Sequence, residues 1–304
     1  MIRSFFRAAP LAALAFILPR AEATAHGFAG DRFFPATLLT DDPFVADEMS
    51  LPTLTRPPTG ADGAQELDVG VDLAKRITPK VGFTIRDQWQ YVQPKDASPV
   101  TGFNTLSTGV QYQLFVNAPH EAIGLVGLTA TWGHTGRVQA FAAPDFTTLT
   151  PTFDFGKGFG DLPDSLPYLR PFAVTGNLSV GFPTKVESNG SPNANTFNYG
   201  VAIEYSLEYL QHHVMDVGLG KPFDRMIPLV EVAMTTPFNR DQGGLTTGTV
   251  QPGVIWAGQY YQIGAEMIIP INRLSGHGIG GIFQLHFFLD DLFPRSIGRP
   301  IFGY

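Results

Sequence analysis

The chain contains no cysteine among its 304 residues. Disulfides, thiolate zinc sites and a cysteine nucleophile are thereby excluded. Charge is scarce: Asp, Glu, Lys and Arg together make up 15% of the chain, against about 25% in an ordinary soluble domain. The balance is acidic, with 27 acidic against 20 basic side chains and a formal net charge of −7. A nucleic-acid partner held by phosphate neutralisation is therefore not expected. Long apolar runs are missing as well. No segment after residue 25 reaches the roughly 18 consecutive apolar residues of a membrane-crossing helix. There is no Walker loop, no HExxH, no dinucleotide fingerprint and no GxSxG elbow. No cofactor is implied, and no catalytic residue is assigned.

What is present is an apolar, turn-rich chain: 44% hydrophobic residues, 33 Gly and 25 Pro. Residues 1–25 read as an export signal. Arg3 and Arg7 form a basic start, Ala8 to Pro19 a short apolar stretch, and Ala21-Glu22-Ala23 or Ala23-Thr24-Ala25 a cleavage site. An uncleaved anchor needs about 20 apolar residues, more than this stretch supplies. An exported apolar chain without spanning helices is either a soluble β-protein or a closed transmembrane barrel.

Strand periodicity separates the two. Segments 67–73, 81–91, 106–116, 122–132, 170–182, 197–209, 226–236, 248–256, 261–271 and 279–289 alternate apolar with small or polar residues. The clearest sets Phe197, Tyr199, Val201, Ile203, Tyr205, Leu207 and Tyr209 against Asn198, Gly200, Ala202, Glu204, Ser206 and Glu208. Asp87 is an exception on an otherwise apolar face. Most of these segments have the length of about 9–11 residues that crosses an outer membrane, whereas soluble strands average about 5–6. Trp89, Tyr91, Trp132, Tyr199, Tyr209, Trp256 and Tyr261 sit toward segment ends, as interfacial girdles do. The expected fold is an all-β transmembrane antiparallel barrel of about ten strands, with 8 or 12 as the neighbouring even counts. The short turns at 78–80, 117–120 and 257–259 do not fall between alternate pairs of these segments, so the pattern leaves the loops unoriented.

The expected organisation is a signal at 1–25, an irregular arm or plug at 26–64, a barrel at 65–290 and a tail at 291–304. The arm carries Arg32-Phe33-Phe34-Pro35 and the acids Asp41, Asp42, Asp47 and Glu48. The stretch 134–168 is the longest connection, long enough for a functional loop, plug or small helix.

Alternation places Asp68, Asp72, Arg86, Glu204, Glu208, Glu231, Glu266 and His286 on the lumen face. Acids outnumber bases there. Two readings remain open: a polar, cation-preferring lumen, or a salt-bridged plug closing a narrow barrel. Of the seven histidines, His212 and His213 are adjacent and would point to opposite strand faces, a poor chelating pair. His26 becomes the first mature residue if cleavage follows Ala25, and its amine and imidazole would then suit Cu(II).

The stretch His26-Gly27-Phe28-Ala29-Gly30-Asp31-Arg32-Phe33-Phe34-Pro35-Ala36-Thr37 and the stretch Gln284-Leu285-His286-Phe287-Phe288-Leu289-Asp290-Asp291-Leu292-Phe293-Pro294 resemble uncharacterised proteobacterial outer-membrane proteins. These are distantly similar to the barrel family named for the meta-pathway of phenol degradation. The resemblance implies an outer-membrane barrel that transports a small hydrophobic or aromatic compound, and it supplies no catalytic motif. Outer-membrane lipid, the barrel-assembly machinery and a small solute are the partners it implies. A lipid-active outer-membrane enzyme and a closed structural barrel are the alternatives.

Overall fold

A computed structural model describes residues 27–40, 42–60, 62–136, 144–188 and 190–303. The expected signal peptide and His26 lie outside the described residues. Twelve antiparallel strands close into a barrel. They are β1 (Glu48–Arg56), β2 (Gln65–Thr78), β3 (Val81–Gln93), β4 (Ser107–Asn117), β5 (Ala122–Thr131), β6 (Thr148–Gly158), β7 (Phe172–Pro183), β8 (Thr196–Tyr205), β9 (Met226–Pro237), β10 (Thr247–Ala257), β11 (Tyr261–Pro270) and β12 (Gly280–Phe288). Each pairs with its neighbours in sequence, and β12 pairs with β1 to close the ring. Pairing is continuous along most ladders, as from Phe172↔Tyr205 to Gly181↔Thr196 between β7 and β8.

One short extra strand, Val100–Phe103, pairs with the far half of β3, from Trp89↔Phe103 to Val92↔Val100. β4 pairs with the near half, from Arg86↔Ser107 to Val81↔Tyr112. The register slips by one residue across 104–106, so the extra strand prolongs β4 beyond a bulge.

Burial runs opposite to that of a soluble protein. On the outer face, Leu54, Leu67, Val110, Leu128, Ile203 and Met267 are between 38% and 51% exposed. On the inner face, Glu231, Gln262 and Glu204 are 0%, 1% and 2% exposed. Exposed apolar side chains around a closed ring with a polar interior need hydrocarbon, not water, outside. A soluble β-fold with an apolar interior is thereby overturned. Aromatics mark both rims: Trp256 and Tyr261 lie 5.6 Å apart at one end, and Phe197 and Tyr199 5.3 Å apart at the other.

The expected ten strands become twelve because two were hidden by proline. β1 carries Pro52, and its ladder with β2 shifts register between Ser50 and Thr53. Proline donates no ladder hydrogen bond and breaks a period-2 pattern. The barrel wall therefore begins at Glu48, inside the segment expected to be irregular. β6 reads Thr-Leu-Thr-Pro-Thr-Phe-Asp-Phe-Gly-Lys-Gly. Its alternation of Leu149, Pro151, Phe153 and Phe155 with Thr150, Thr152 and Asp154 is present, but Pro151 and two glycines make it resemble a loop.

β6 also restores the orientation of the barrel. With it in place, the short connections 79–80, 118–121 and 258–260 all fall at one end. The β1–β2, β3–β4, β5–β6, β7–β8, β9–β10 and β11–β12 connections fall at the other, while two long connections, 159–171 and 206–225, share the first end with the short turns. The first end, here called proximal, also receives the described N-terminal segment and the tail after β12. The tail folds back on β2, where the Ile301 and Phe302 amides donate to the carbonyls of Arg76 and Ile77.

Candidate functional site: a lumen divided by a re-entrant segment

The described residues 27–40 and 42–47 run inside the barrel. The segment starts in a small hairpin, Phe28–Ala29 against Arg32–Phe33, turned at Gly30 with φ of +64°. It dips to mid-depth at Leu38–Thr40, then returns to the proximal end at Asp47 and becomes β1. Apolar side chains set its path. Phe34 packs with Ala29, Ile123 and Ala173. Leu38 packs with Ile227, Leu229, Ile255 and Ala257, which line the inner faces of β9 and β10. These clusters give the proximal half of the lumen a core of its own.

Inner-face glycines supply the space. A methyl at Gly200 would lie 2.6 Å from Thr40 Cγ2, and one at Gly82 would lie 3.0 Å from Val45 Cγ1. A methyl at Gly264 would overlap Leu38. Glycine at these strand positions allows close approach of another backbone.

Three polar ties fix the segment, because buried backbone polar groups need partners away from water. At the deepest point the Leu38 and Thr40 amides donate to Glu231 over 2.7 and 2.8 Å, the Leu39 amide over 3.2 Å, and the Thr40 hydroxyl over 2.9 Å. One carboxylate thus satisfies three consecutive amides, an anion nest. Around the ring, Gln262 donates to the Ala36 carbonyl, Asn177 to the Thr40 carbonyl, and Gln113 to the Pro43 carbonyl.

The second tie is proximal. Arg32 Nε donates to Glu121 Oε2 over 3.1 Å, and its other nitrogens donate to the Pro171 and Arg170 carbonyls. Its guanidinium carbon lies 3.7 Å from the Tyr209 ring centroid. Tyr209 donates to Glu121 Oε1 over 2.7 Å, and the Gly160 amide donates to Oε2. Burial, then the hydrogen bond to Glu121 and its charge, push the Tyr209 hydroxyl up to about 12. The third tie is Asp47, fully buried, which accepts from Lys75 Nζ at 2.6 Å, the Arg76 amide at 2.7 Å and Arg76 Nε at 2.8 Å.

Of the lumen residues expected from sequence, Asp68, Asp72, Glu204, Glu231, Glu266 and His286 stand on the inner face. Arg86 pairs with Asp72 across the β2–β3 ladder. Glu204 accepts from Thr175 at 2.9 Å, and Asp68 accepts from Gln90 at 3.1 Å. Glu266 is buried beside Glu231. Glu208 departs from the expectation. β8 ends at Tyr205, and Glu208 lies in a helical turn, Leu207–Tyr209, capped by Ser206. Serine at that position accepts a helix amide and stops the ladder, which moves Glu208 out of the lumen.

The segment leans on β7–β11 and leaves a cleft along β1–β4 and β12. An outer chamber of about 450 Å³ opens toward the distal end, lined by Thr53, Thr55, Gln88, Asn104, Ser107 and Thr131, with Leu38 at its floor. An inner chamber of about 90 Å³ lies beside the plug, lined among others by Asp42, Glu48, Ser50, Thr84 and His286. The chambers share Leu38, Asp72, Arg86 and Gln284. Within the inner chamber Ser50 Oγ lies 2.9 Å from His286 Nδ1, and Glu48 Oε2 lies 3.3 Å from His286 Nε2. Glu48 and Ser50 were outside the strands read from sequence. Their i, i+2 spacing opposite Phe288 and His286 was the available signal.

No family model and no curated protein matches the chain. Among solved structures, it is similar in fold to an outer membrane channel from Pseudomonas putida F1, with a TM-score of 0.53 and 10% identity, covering 84% of this chain and 99% of that one. LpxR from Salmonella typhimurium gives a TM-score of 0.42 at 9% identity, covering 79% of this chain and 99% of its own. The β domain of the Bordetella autotransporter Brka gives 0.41 at 12% identity, covering 81% and 99%. At these identities the likeness is one of fold alone: a closed barrel of the outer-membrane type.

Proposed function

We propose that the protein is a channel of the Gram-negative outer membrane whose lumen is narrowed by its own re-entrant N-terminal segment, and that it passes a small solute through the cleft beside that segment. The observation that carries this reading is a pair of adjacent chambers beside the segment, whose linings share Leu38, Asp72, Arg86 and Gln284. The outward apolar belt supports a bilayer of outer-membrane lipid as the partner, inserted by the barrel-assembly machinery. The three shortest turns and the described chain ends lie at the proximal end, which supports a periplasmic placement of that end even though it also carries the long connections 159–171 and 206–225. The likeness to the Pseudomonas channel agrees with passage through the lumen.

The lining speaks for a polar solute. The hydrophobic or aromatic compound implied by the resemblance would meet few inward apolar side chains in the outer chamber, namely Leu38 and Ile282. A lipid-active enzyme needs its reactive groups on the lipid-facing rim. Here Ser50, His286 and Glu48 face inward, at 6%, 3% and 8% exposure, which speaks against that alternative.

The test is single-channel conductance of the refolded protein in a planar bilayer, with heat-modifiable gel migration as the folding control. Discrete conductance steps that grow when the Arg32–Glu121 tie is removed are the expected result. A folded protein without conductance, both with the tie and without it, overturns the channel reading in favour of a closed structural barrel.

A further inference from the structure

The wall of the inner chamber holds a nucleophile, a base and an acid that passage of a solute does not require. Ser50 and His286 stand opposite each other across the β12–β1 ladder. The Ser50 hydroxyl lies 2.9 Å from His286 Nδ1, and Glu48 Oε2 lies 3.3 Å from Nε2 of the same ring. With the ring hydrogen on Nε2, toward Glu48, Nδ1 accepts from the serine hydroxyl. Nucleophile, base and acid then stand in the order in which each group orients the one before it. Two further features hold and present this row. The ladders of β1 shift register beside Ser50, against Thr53 on one side and between Gln284 and His286 on the other, and bulges next to reactive groups re-aim side chains in this way. The His286 ring packs on Phe288 with centroids 5.2 Å apart, and Phe288 packs edge-on against Phe33 of the re-entrant segment at 6.1 Å. Glu48, Ser50 and His286 all line the inner chamber, so the row fronts a cavity.

We propose that Ser50 and His286 are the nucleophile and base of a hydrolase site inside the lumen, with Glu48 positioning the imidazole, and that the site cleaves small esters of short-chain acids. This goes beyond the channel reading and does not depend on conduction. Size sets the substrate class. The inner chamber of about 90 Å³ has room for about three waters, which admits an acetyl group and excludes a fatty acyl chain. The alcohol part extends into the adjacent outer chamber of about 450 Å³. In the first step Ser50 Oγ bonds to the carbonyl carbon and its proton passes to His286 Nδ1. The ester C–O bond then breaks, and His286 returns the proton to the leaving alcohol. Water attacks the acyl-serine, giving a proton to His286; the acyl–Oγ bond breaks, Oγ takes that proton, and the carboxylic acid leaves. Thr84 and Gln111 line the same chamber and carry the hydroxyl and amide donors that a developing oxyanion needs.

The experiment treats the folded full-length protein in detergent with methanesulfonyl fluoride, a small reagent for activated serines, and maps the adduct by mass spectrometry. Hydrolysis of p-nitrophenyl acetate is followed in parallel. One adduct on Ser50 is expected, together with saturable hydrolysis that the reagent abolishes. Ser50→Ala and His286→Ala should each lower hydrolysis about a hundredfold or more while the heat-modifiable migration persists. Glu48→Gln should lower kcat and leave KM unchanged, as loss of a positioning group does and loss of a wall contact does not. Ser50→Cys, in a chain without other cysteines, should react with a small methanethiosulfonate, which shows that the chamber is reached from solvent. Folded protein that takes no adduct on Ser50, or hydrolyses no faster than Ser50→Ala, overturns the site. So does labelling of Ser50 that survives His286→Ala, or a Ser50→Cys thiol that no reagent reaches. Conductance is read separately, so failure of the hydrolase leaves the conduit standing.

Discussion

Arg32 and Glu121, 89 residues apart in the chain, meet in a buried ion pair of 3.1 Å that fastens the start of the lumen segment to the proximal rim. Every branch of this contact has a partner: two backbone carbonyls for the guanidinium, and Tyr209 with the Gly160 amide for the carboxylate. A buried pair so completed holds position; one that loses a member leaves an uncompensated charge.

Arg32→Ala should therefore free the segment at its proximal end. Breaking a buried pair costs about 3–5 kcal/mol, enough to shift a local equilibrium by more than a hundredfold. The expected outcome is a larger or more variable single-channel conductance with the barrel still folded by gel migration. Conductance identical to that of the native protein would mean the tie does not hold the segment in place.

The nest at Glu231 is the second anchor. The absence of cysteine in the native chain makes a single reporter unambiguous. Leu38→Cys should react slowly with a membrane-impermeant thiol reagent added from the distal side. Adding Glu231→Ala leaves three amides without their shared acceptor, at about 1–3 kcal/mol each for unsatisfied buried groups, and labelling should speed up at least tenfold. Equal labelling rates would remove Glu231 from any holding role.

The close approach of Thr40 to Gly200 offers a lock. A cysteine pair at these positions should oxidise, since a β-carbon at Gly200 already reaches the Thr40 side chain. In the Arg32→Ala background the oxidised protein should keep native conductance, and reduction should release the larger one. A locked protein with unchanged, high conductance would place the current path elsewhere.

Tyr209 gives the proximal tie a pH limit. Its hydroxyl is raised from 10.0 to about 12 by burial and by Glu121. The folded state favours the protonated form, so the stabilisation is whole below pH 10 and is lost as pH rises through 12. An ultraviolet difference titration against Tyr209→Phe should show one late-ionising tyrosine in that window. A Tyr209 that ionises with the exposed tyrosines would place it outside the Glu121 contact.

The inner face of most strands was legible as sequence because a barrel wall imposes a strict period of two between lipid and lumen. Glu204, Glu231, Glu266 and His286 follow from that period alone. The same rule failed at β1 and β6, where Pro52 and Pro151 stand in alternating patterns and made strands look like loops. Missing β6 reversed the parity of every later connection, which is why the loops could not be oriented before. Glu208 failed for a local reason: Ser206 caps a helical turn, and alternation past a cap carries no meaning.

The candidate site was legible only in part. Asp72, Arg86, Gln284 and His286 follow from the period-2 pattern, but Asp42, Glu48 and Ser50 reach the same cleft only through tertiary structure, Glu48 and Ser50 by pairing with the last strand. The period-2 pattern, the low charge and the missing helices by themselves determined a membrane barrel, because each is a local consequence of lipid as solvent. Whether the lumen is open, filled or divided was decided by tertiary structure. The route of residues 27–40 and 42–47 depends on where Gly82, Gly200 and Gly264 leave room and where Glu231, Glu121 and Lys75 wait with partners. Those groups lie on strands far apart in sequence, and only closure of the barrel brings them around one lumen.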